Sequence, residues 1–333
     1  MAALRPPTQV HRAGDVAIAL ADTVRRIRGE SFPFDVAPFR YEALASPEAT
    51  GAAIATVYEG FAQGNGPSQS TILAAALDRL GITPDIPERK AAMVAAVLAA
   101  VPCTNQFHNG DHSREVLANA IWLSQANAVL AAAGTQGAAP MAPIAVARLL
   151  LAATMHDLGH DGTANTVPTA GGDDHYVPFR LEDSAFELMR PVLGRAGIDF
   201  AVIGDLQAML RATDPRARPG VRALTDHALY GVPLPAEVAN EFAHRLRHQG
   251  LALATALLCD ADVISSAGLT HEYYLRLSSL LSTERGTTIT DAEARDFFIG
   301  VVGDSFASAA GKRLDANLRS IRAAVFGTQN KPA

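Results

Sequence analysis

From Ser46 onward, apolar residues recur at helical spacing almost without interruption, and strand-like alternation is scarce. Ser46-Pro47-Glu48 sets a capping hydroxyl ahead of a proline, which predicts a helix over Glu48–Gln63. Ser68–Leu80 and Pro87–Ala100 read as two more, separated by Gly81-Ile82-Thr83-Pro84. A helix containing His112 is expected to run to about Ala133 and to stop before a Gly/Ala/Pro loop. Ala142–Met155 is apolar on nearly every side, so it reads as a central buried helix ending at His156-Asp157. Thr166–Pro178, rich in Gly, Asp and Pro, reads as a loop. Helices are expected again at Leu181–Ala196, Asp199–Ala212, Pro235–Gln249, Gly250–Ser266, Glu272–Ser282 and Asp291–Phe326. Before Ser46 one helix is expected around Asp15–Arg28, after which Phe32-Pro33-Phe34 and Ala37-Pro38-Phe39 break the pattern. The fold expected is all-α, a multi-helix bundle with an N-terminal extension over 1–45 and one domain over 46–333.

Composition narrows the function classes. A net charge of −6 gives no electrostatic footprint for long nucleic acid. A small anionic substrate stays open, because bound cations can reverse the sign inside a pocket. Two cysteines, Cys103 and Cys259, are too few for a disulfide framework and read as small buried apolar residues. The N-terminus has no apolar signal core, and the best apolar run is bracketed by Arg148 and His156, short of membrane-spanning length. A cytoplasmic protein with no membrane partner is expected, and the helices near Gly286–Phe326 leave room for a homodimer.

The chemistry concentrates at Met155-His156-Asp157-Leu158-Gly159-His160-Asp161-Gly162-Thr163-Ala164-Asn165. Adjacent His and Asp offer a metal one neutral nitrogen and one carboxylate able to bridge to a second ion. Upstream stand His108 and His112, four apart and so on one face if both are helical. Downstream, Asp262 sits on the otherwise apolar Leu251–Ile264. Each feature alone is weak, but Asp and His are costly to bury without partners, and one metal would partner several at once. By contrast, Asp260 reads as a solvated or capping residue, and Gly171-Gly172-Asp173-Asp174-His175 as a turn.

These residues resemble a known family. His156-Asp157-x-x-His160-x-Gly162-x-x-Asn165 is similar to the signature of class I cyclic nucleotide phosphodiesterases, within the HD-domain superfamily of metal-dependent phosphohydrolases. Phe107-His108-Asn109-x-x-His112 is similar to the family's Tyr-His-Asn-x-x-His, with Phe in place of Tyr. Leu181-Glu182-Asp183, Ala212-Thr213-Asp214 and Cys259-Asp260-Ala261-Asp262-Val263 follow in the family's order. The resemblance implies a first metal held by His112, His156, Asp157 and Asp262, with Asp157 bridging to a second, largely water-held ion. Nitrogen and carboxylate donors suit zinc or another transition metal at the first site, and an oxygen-rich second site suits magnesium or manganese. His160, Glu182 and Asn109 would support the ligands and their waters; Asp214 is balanced between a role there and an ordinary surface carboxylate.

The implied reaction is hydrolysis of a 3′,5′-cyclic nucleotide to its 5′-monophosphate. Water shared between two cations is acidic enough to attack phosphorus at neutral pH. The leaving oxygen needs a proton, and His108 is the expected general acid. The chain departs from the family where the base would bind. Phe298 is the best placement for the family's aromatic residue, and three positions earlier stands Arg295 rather than glutamine. Two alternatives remain: a phosphohydrolase of the same superfamily acting on another nucleotide or phosphomonoester, and a diiron oxygenase that would recruit His175 or His227.

Overall fold

Ser46 Oγ accepts the backbone N–H of Ala49 and Pro47 follows it, so α1 (Pro47–Ala62) begins where the cap and the proline predict. In this computed structural model, residues 46–168, 174–235 and 240–327 are described. The expected extension over 1–45, with its helix at Asp15–Arg28, lies outside them. Ser68 caps α2 (Gln69–Arg79) in the same way, and Pro87 opens α3 (Pro87–Ala99). Next come α4 (Gly110–Ala132) and α5 (Pro143–Met155), which pack against each other and lie against α3 and α2. As expected, α5 is buried on nearly all sides.

The segment expected to be a loop holds a short antiparallel hairpin, β1 (Thr166–Pro168) and β2 (Asp174–Tyr176), pairing Val167 with His175. Residues 169–173, the middle of the expected turn, lie outside the described chain. Two helices follow, α6 (Arg180–Ala196) and α7 (Phe200–Arg211). A helix with no counterpart in the sequence reading, α8 (Arg218–Tyr230), comes next. Its Arg-Pro-Gly start resembles a breaker, yet Pro219 occupies the first turn, where its missing N–H costs nothing. Gly231 ends it at φ 71°.

The expected helix Pro235–Gln249 is reduced, among the described residues, to the single turn α9 (Asn240–Ala243). His248, extended at φ −77° and ψ 113°, separates it from α10 (Gln249–Ala267). Of the described helices, only α10 is long and apolar enough to cross a membrane; 78% of its apolar window is buried inside the protein. It is a core helix, packed on α4, α5, α8 and α11 (His271–Arg285). Its apolar run exceeds the one bracketed by Arg148 and His156, so the best spanning candidate was misplaced.

The long helix expected at Asp291–Phe326 is interrupted. It comprises α12 (Asp291–Asp296), a π-helical turn over Phe297–Val302, a 3-10 turn over Gly311–Leu314 and α13 (Asp315–Gly327). Gly303, at φ 77° and ψ −163°, takes a conformation closed to other residues and ends the π turn. Asp260, far from solvated, holds the chain beyond it: its buried carboxylate accepts from Ala307 N, Ser308 N and Ser308 Oγ at 2.9, 2.8 and 2.6 Å. Both cysteines are free; Cys259 is buried and Cys103 half-buried.

Candidate metal centre and its pocket

His112 lies in the first turn of α4, whose orphan N–H groups are capped by Asn109. Asn109 Oδ1 accepts from Asp111 N at 2.8 Å and His112 N at 3.3 Å. Asn109 therefore acts on His112 through the helix end and lies off the cavity wall. His108 precedes the cap, so the two histidines do not share a helical face; their rings still meet edge-on, 5.9 Å between centroids.

His156 follows the last turn of α5, Asp157 comes next, and α10 contributes Asp262. His156 Nε2 lies 3.2 Å from Asp157 Oδ2 and 3.8 Å from Asp262 Oδ1; His112 Nε2 lies 3.3 Å and 3.6 Å from the same two oxygens. Ala153 O, 2.9 Å from His156 Nδ1, takes the ring proton on that side and turns the Nε2 lone pair inward. His156 Nε2 and Asp157 Oδ2 are buried, yet neither has a hydrogen-bond partner. Burial opposes a charged His112, but Asp157 and Asp262 outweigh it and hold the imidazole up at about 10. Three donors within 4.8 Å of one another, two of them orphaned, with Asp262 Oδ1 beside both histidines, in a field that favours positive charge, fit a divalent cation.

Arg218, at the start of α8, was not singled out in the sequence. It is buried, and its guanidinium pairs with Asp262 Oδ2 while donating to Cys259 O at 2.8 Å. Asp262 is thereby left with Oδ1 alone facing the histidines.

Beside this cluster, Glu284 Oε1 meets His108 Nδ1 at 2.5 Å, and Oε2 accepts the backbone N–H groups of Phe107 and His108 at 2.8 and 2.9 Å. Burial works against the Glu284 charge, but the His108 hydrogen bond and charge and these N–H groups bring its pKa down to about 2. Glu284 escaped notice because the expected helix stopped at Ser282, whereas α11 runs to Arg285. His160 stacks on His108, 3.7 Å between centroids and 15° between planes. Burial, then His108, push His160 down to about 4. Donor atoms of His108, His160 and Glu284 also lie within 4.8 Å of one another. A metal there is disfavoured because His160 Nδ1 accepts Gly162 N–H at 3.1 Å, which puts the ring proton on Nε2 and makes that nitrogen a donor. Gly162 itself is at φ 77°, and a Cβ there would stand 3.0 Å from Asn105 Oδ1. Asn105 ties the two strings together, donating to His108 O at 3.1 Å and His160 O at 2.8 Å.

On the other flank, buried Asn165 donates to Glu182 Oε2 at 3.0 Å and Asp214 Oδ2 at 2.9 Å. Burial raises Glu182 to about 7. Asp214 is fully buried and accepts from Asn165, Tyr176 Oη, Phe179 N and Arg216 N, so it is a structural anchor rather than a surface carboxylate.

His108, His112, Asp157, His160, Asn165, Glu182, Asp214, Arg218 and Asp262 line one cavity of about 820 Å³. Part of the wall is apolar, formed by Leu277, Leu281, Ile289, Ala294, Phe297 and Val301, with Arg285, Glu293 and Asp296 among them. Two expectations fail here. Phe298 is fully buried behind the wall against Tyr274 and Phe326, and its neighbour Phe297 is the ring that faces the cavity. Arg295 points away, over the Phe326 ring at 5.7 Å. The position three before Phe297 is Ala294, so the register slipped by one. His175, exposed on β2, and His227, exposed and bonded to Val232 O, lie off the cavity wall and cannot complete a diiron site from where they stand.

No protein-family model matches the chain, and no curated protein matches it by sequence. Solved structures do. The phosphodiesterase domain of the RhoPDE fusion protein from the choanoflagellate Salpingoeca rosetta superposes with a TM-score of 0.52 at 16% identity, covering 89% of this chain and 98% of that one. LmjPDEB1 in complex with IBMX gives 0.52 at 13%, covering 93% and 98%. The phosphodiesterase domain of Salpingoeca rosetta rhodopsin phosphodiesterase gives 0.51 at 16%, covering 87% and 92%. The chain has the all-helical fold of phosphodiesterase catalytic domains.

Proposed function

We propose that this chain is a metal-dependent phosphodiesterase that opens a 3′,5′-cyclic nucleotide to its 5′-monophosphate. The observation that carries the reading is the convergence of His112, His156 and Asp157, whose donor atoms lie within 4.8 Å of one another, with Asp262 Oδ1 3.6 and 3.8 Å from the two histidines and the His108–Glu284 pair alongside. His112, His156, Asp157 and Asp262 would hold the first ion, zinc or another transition metal. Asp157 would also help hold a second ion, magnesium or manganese, with Glu182 and His160 supporting it from nearby. Bound divalent ions supply the acidity that lets water attack at neutral pH and offset phosphoryl charge.

The rest falls to the protein. Glu284 fixes the His108 ring through Nδ1, leaving an Nε2–H for the cavity. As water adds to phosphorus and the P–O3′ bond breaks, His108 gives that proton to the departing oxygen. His160 Nε2–H and the Glu182 carboxylate orient water on either flank of Asp157. The apolar wall with Phe297 would take the base.

The test is hydrolysis by metal-reconstituted protein across cAMP, cGMP, other cyclic nucleotides and an activated aryl phosphodiester, with His108→Ala alongside. Turnover of a cyclic nucleotide should fall about 10²–10⁴-fold in the variant while bound metal stays unchanged. The aryl ester, whose leaving group needs no proton, should lose far less. Cleavage of phosphomonoesters but no diester would sink the reading in favour of another phosphohydrolase.

A further inference from the structure

Three arginines stand on the cavity wall, and two are committed. Arg218 pairs with Asp262, and Arg285 Nη1 lies 3.8 Å from Glu293 Oε1. Arg216 has no carboxylate partner among the described residues. Its guanidinium carbon lies over the Tyr176 ring, 4.1 Å from the centroid. Asp214 secures both halves of that stack: Oδ1 accepts the Arg216 backbone N–H at 2.8 Å, and Oδ2 accepts the Tyr176 hydroxyl at 2.6 Å. Tyr176 also lines the cavity, as do Asp157, Glu182, Asp262, Glu293 and Asp296.

A free, preorganised guanidinium on a wall otherwise rich in carboxylates has one evident use. Stacking leaves the N–H edge of the fork open and lowers the entropy lost when it grips a ligand. The matching ligand is an oxyanion with two oxygens in one plane, of which phosphate is the cognate chemistry.

We propose that Arg216 is an anion clamp that takes the phosphate group of ligands in this cavity, gripping a dianionic phosphomonoester more strongly than a monoanionic diester. The assignment of its partner as the substrate and product phosphate rests on the phosphodiesterase reading; the clamp itself does not. It makes Arg216 a contact to product as well as substrate, so the residue contributes to product inhibition.

Calorimetric titration of the metal-loaded protein with inorganic phosphate, a nucleoside 5′-monophosphate and its 3′,5′-cyclic form tests this. Arg216→Met should weaken phosphate and monophosphate binding about 10-fold or more and the cyclic monoanion less, with metal content unchanged. Arg216→Lys should recover part of the loss, and Tyr176→Phe, which keeps the stack, should fall between wild type and Arg216→Met. Phosphate binding by Arg216→Met within about twofold of wild type, or no phosphate binding by wild type at millimolar concentration, overturns the clamp. Arg216-dependent phosphate binding by a protein that cleaves no cyclic nucleotide would uphold the clamp and defeat the phosphodiesterase reading.

Discussion

The two ends of the cavity are built on opposite principles. At the carboxylate end every side chain is held by a partner or aimed at a common point: Ala153 O turns His156, Arg218 holds Asp262, and Glu284 holds His108. Elsewhere on the wall, Leu277, Leu281, Ile289, Ala294 and Phe297 offer mainly shape, with the Arg285–Glu293 pair and Asp296 among them. Buried polar groups left unsatisfied cost about 1–3 kcal/mol each, so the first end tolerates few substitutions and demands particular residue types. Apolar packing accepts any side chain of suitable volume. Fixed polar groups are therefore concentrated at one end, and adaptable packing at the other.

Breaking the carboxylate end should give the largest effect. Asp157→Ala removes a donor facing both histidines; turnover should fall on the order of 10³-fold or more, and metal analysis should show depleted protein. Glu284→Gln keeps the shape but removes the charge beside His108; kcat should fall roughly 10–100-fold with metal content intact, and equal loss on the activated aryl ester would argue against a proton-delivery role.

At the apolar end the adjacent phenylalanines should separate. Phe298→Ala empties a fully buried site and should cost about 3–5 kcal/mol of stability, visible in urea unfolding. Phe297→Ala should leave the unfolding midpoint much closer to wild type and instead raise KM, by about 10-fold. If Phe298→Ala altered KM alone and left stability untouched, the placement of these two rings would be wrong. Chelation of metal should lower Tm by a few degrees, since a ligand bound only by the folded state stabilises it. The smallest change is expected for Asn109→Ala, about 1 kcal/mol from a lost helix cap, with activity mostly retained.

Helix order was legible wherever periodicity and caps agreed, as at Ser46, Ser68, Pro87 and the buried α5. It was illegible where a local signal misled. Pro219 and Gly220 hid α8, and the continuous periodicity of Asp291–Phe326 hid the π turn and the Gly303 break. Within that π turn, Phe297 lines the cavity while Phe298 is fully buried.

Residue type and order alone determined the helical fold, and the family resemblance of those residues implied His112, His156, Asp157 and Asp262 as a ligand set, in keeping with the cost of burying His and Asp without partners. Only the tertiary structure decided that Phe297 rather than Phe298 faces the cavity, that Asp214 and Asp260 are anchors, and that Glu284, Arg218 and Arg216 belong to the site. The reason is physical. Periodicity and capping are local properties of the chain, whereas the partner of a charge is chosen by whichever segment, 44 residues from Arg218 in the case of Asp262 or 176 from His108 in the case of Glu284, packing brings within reach.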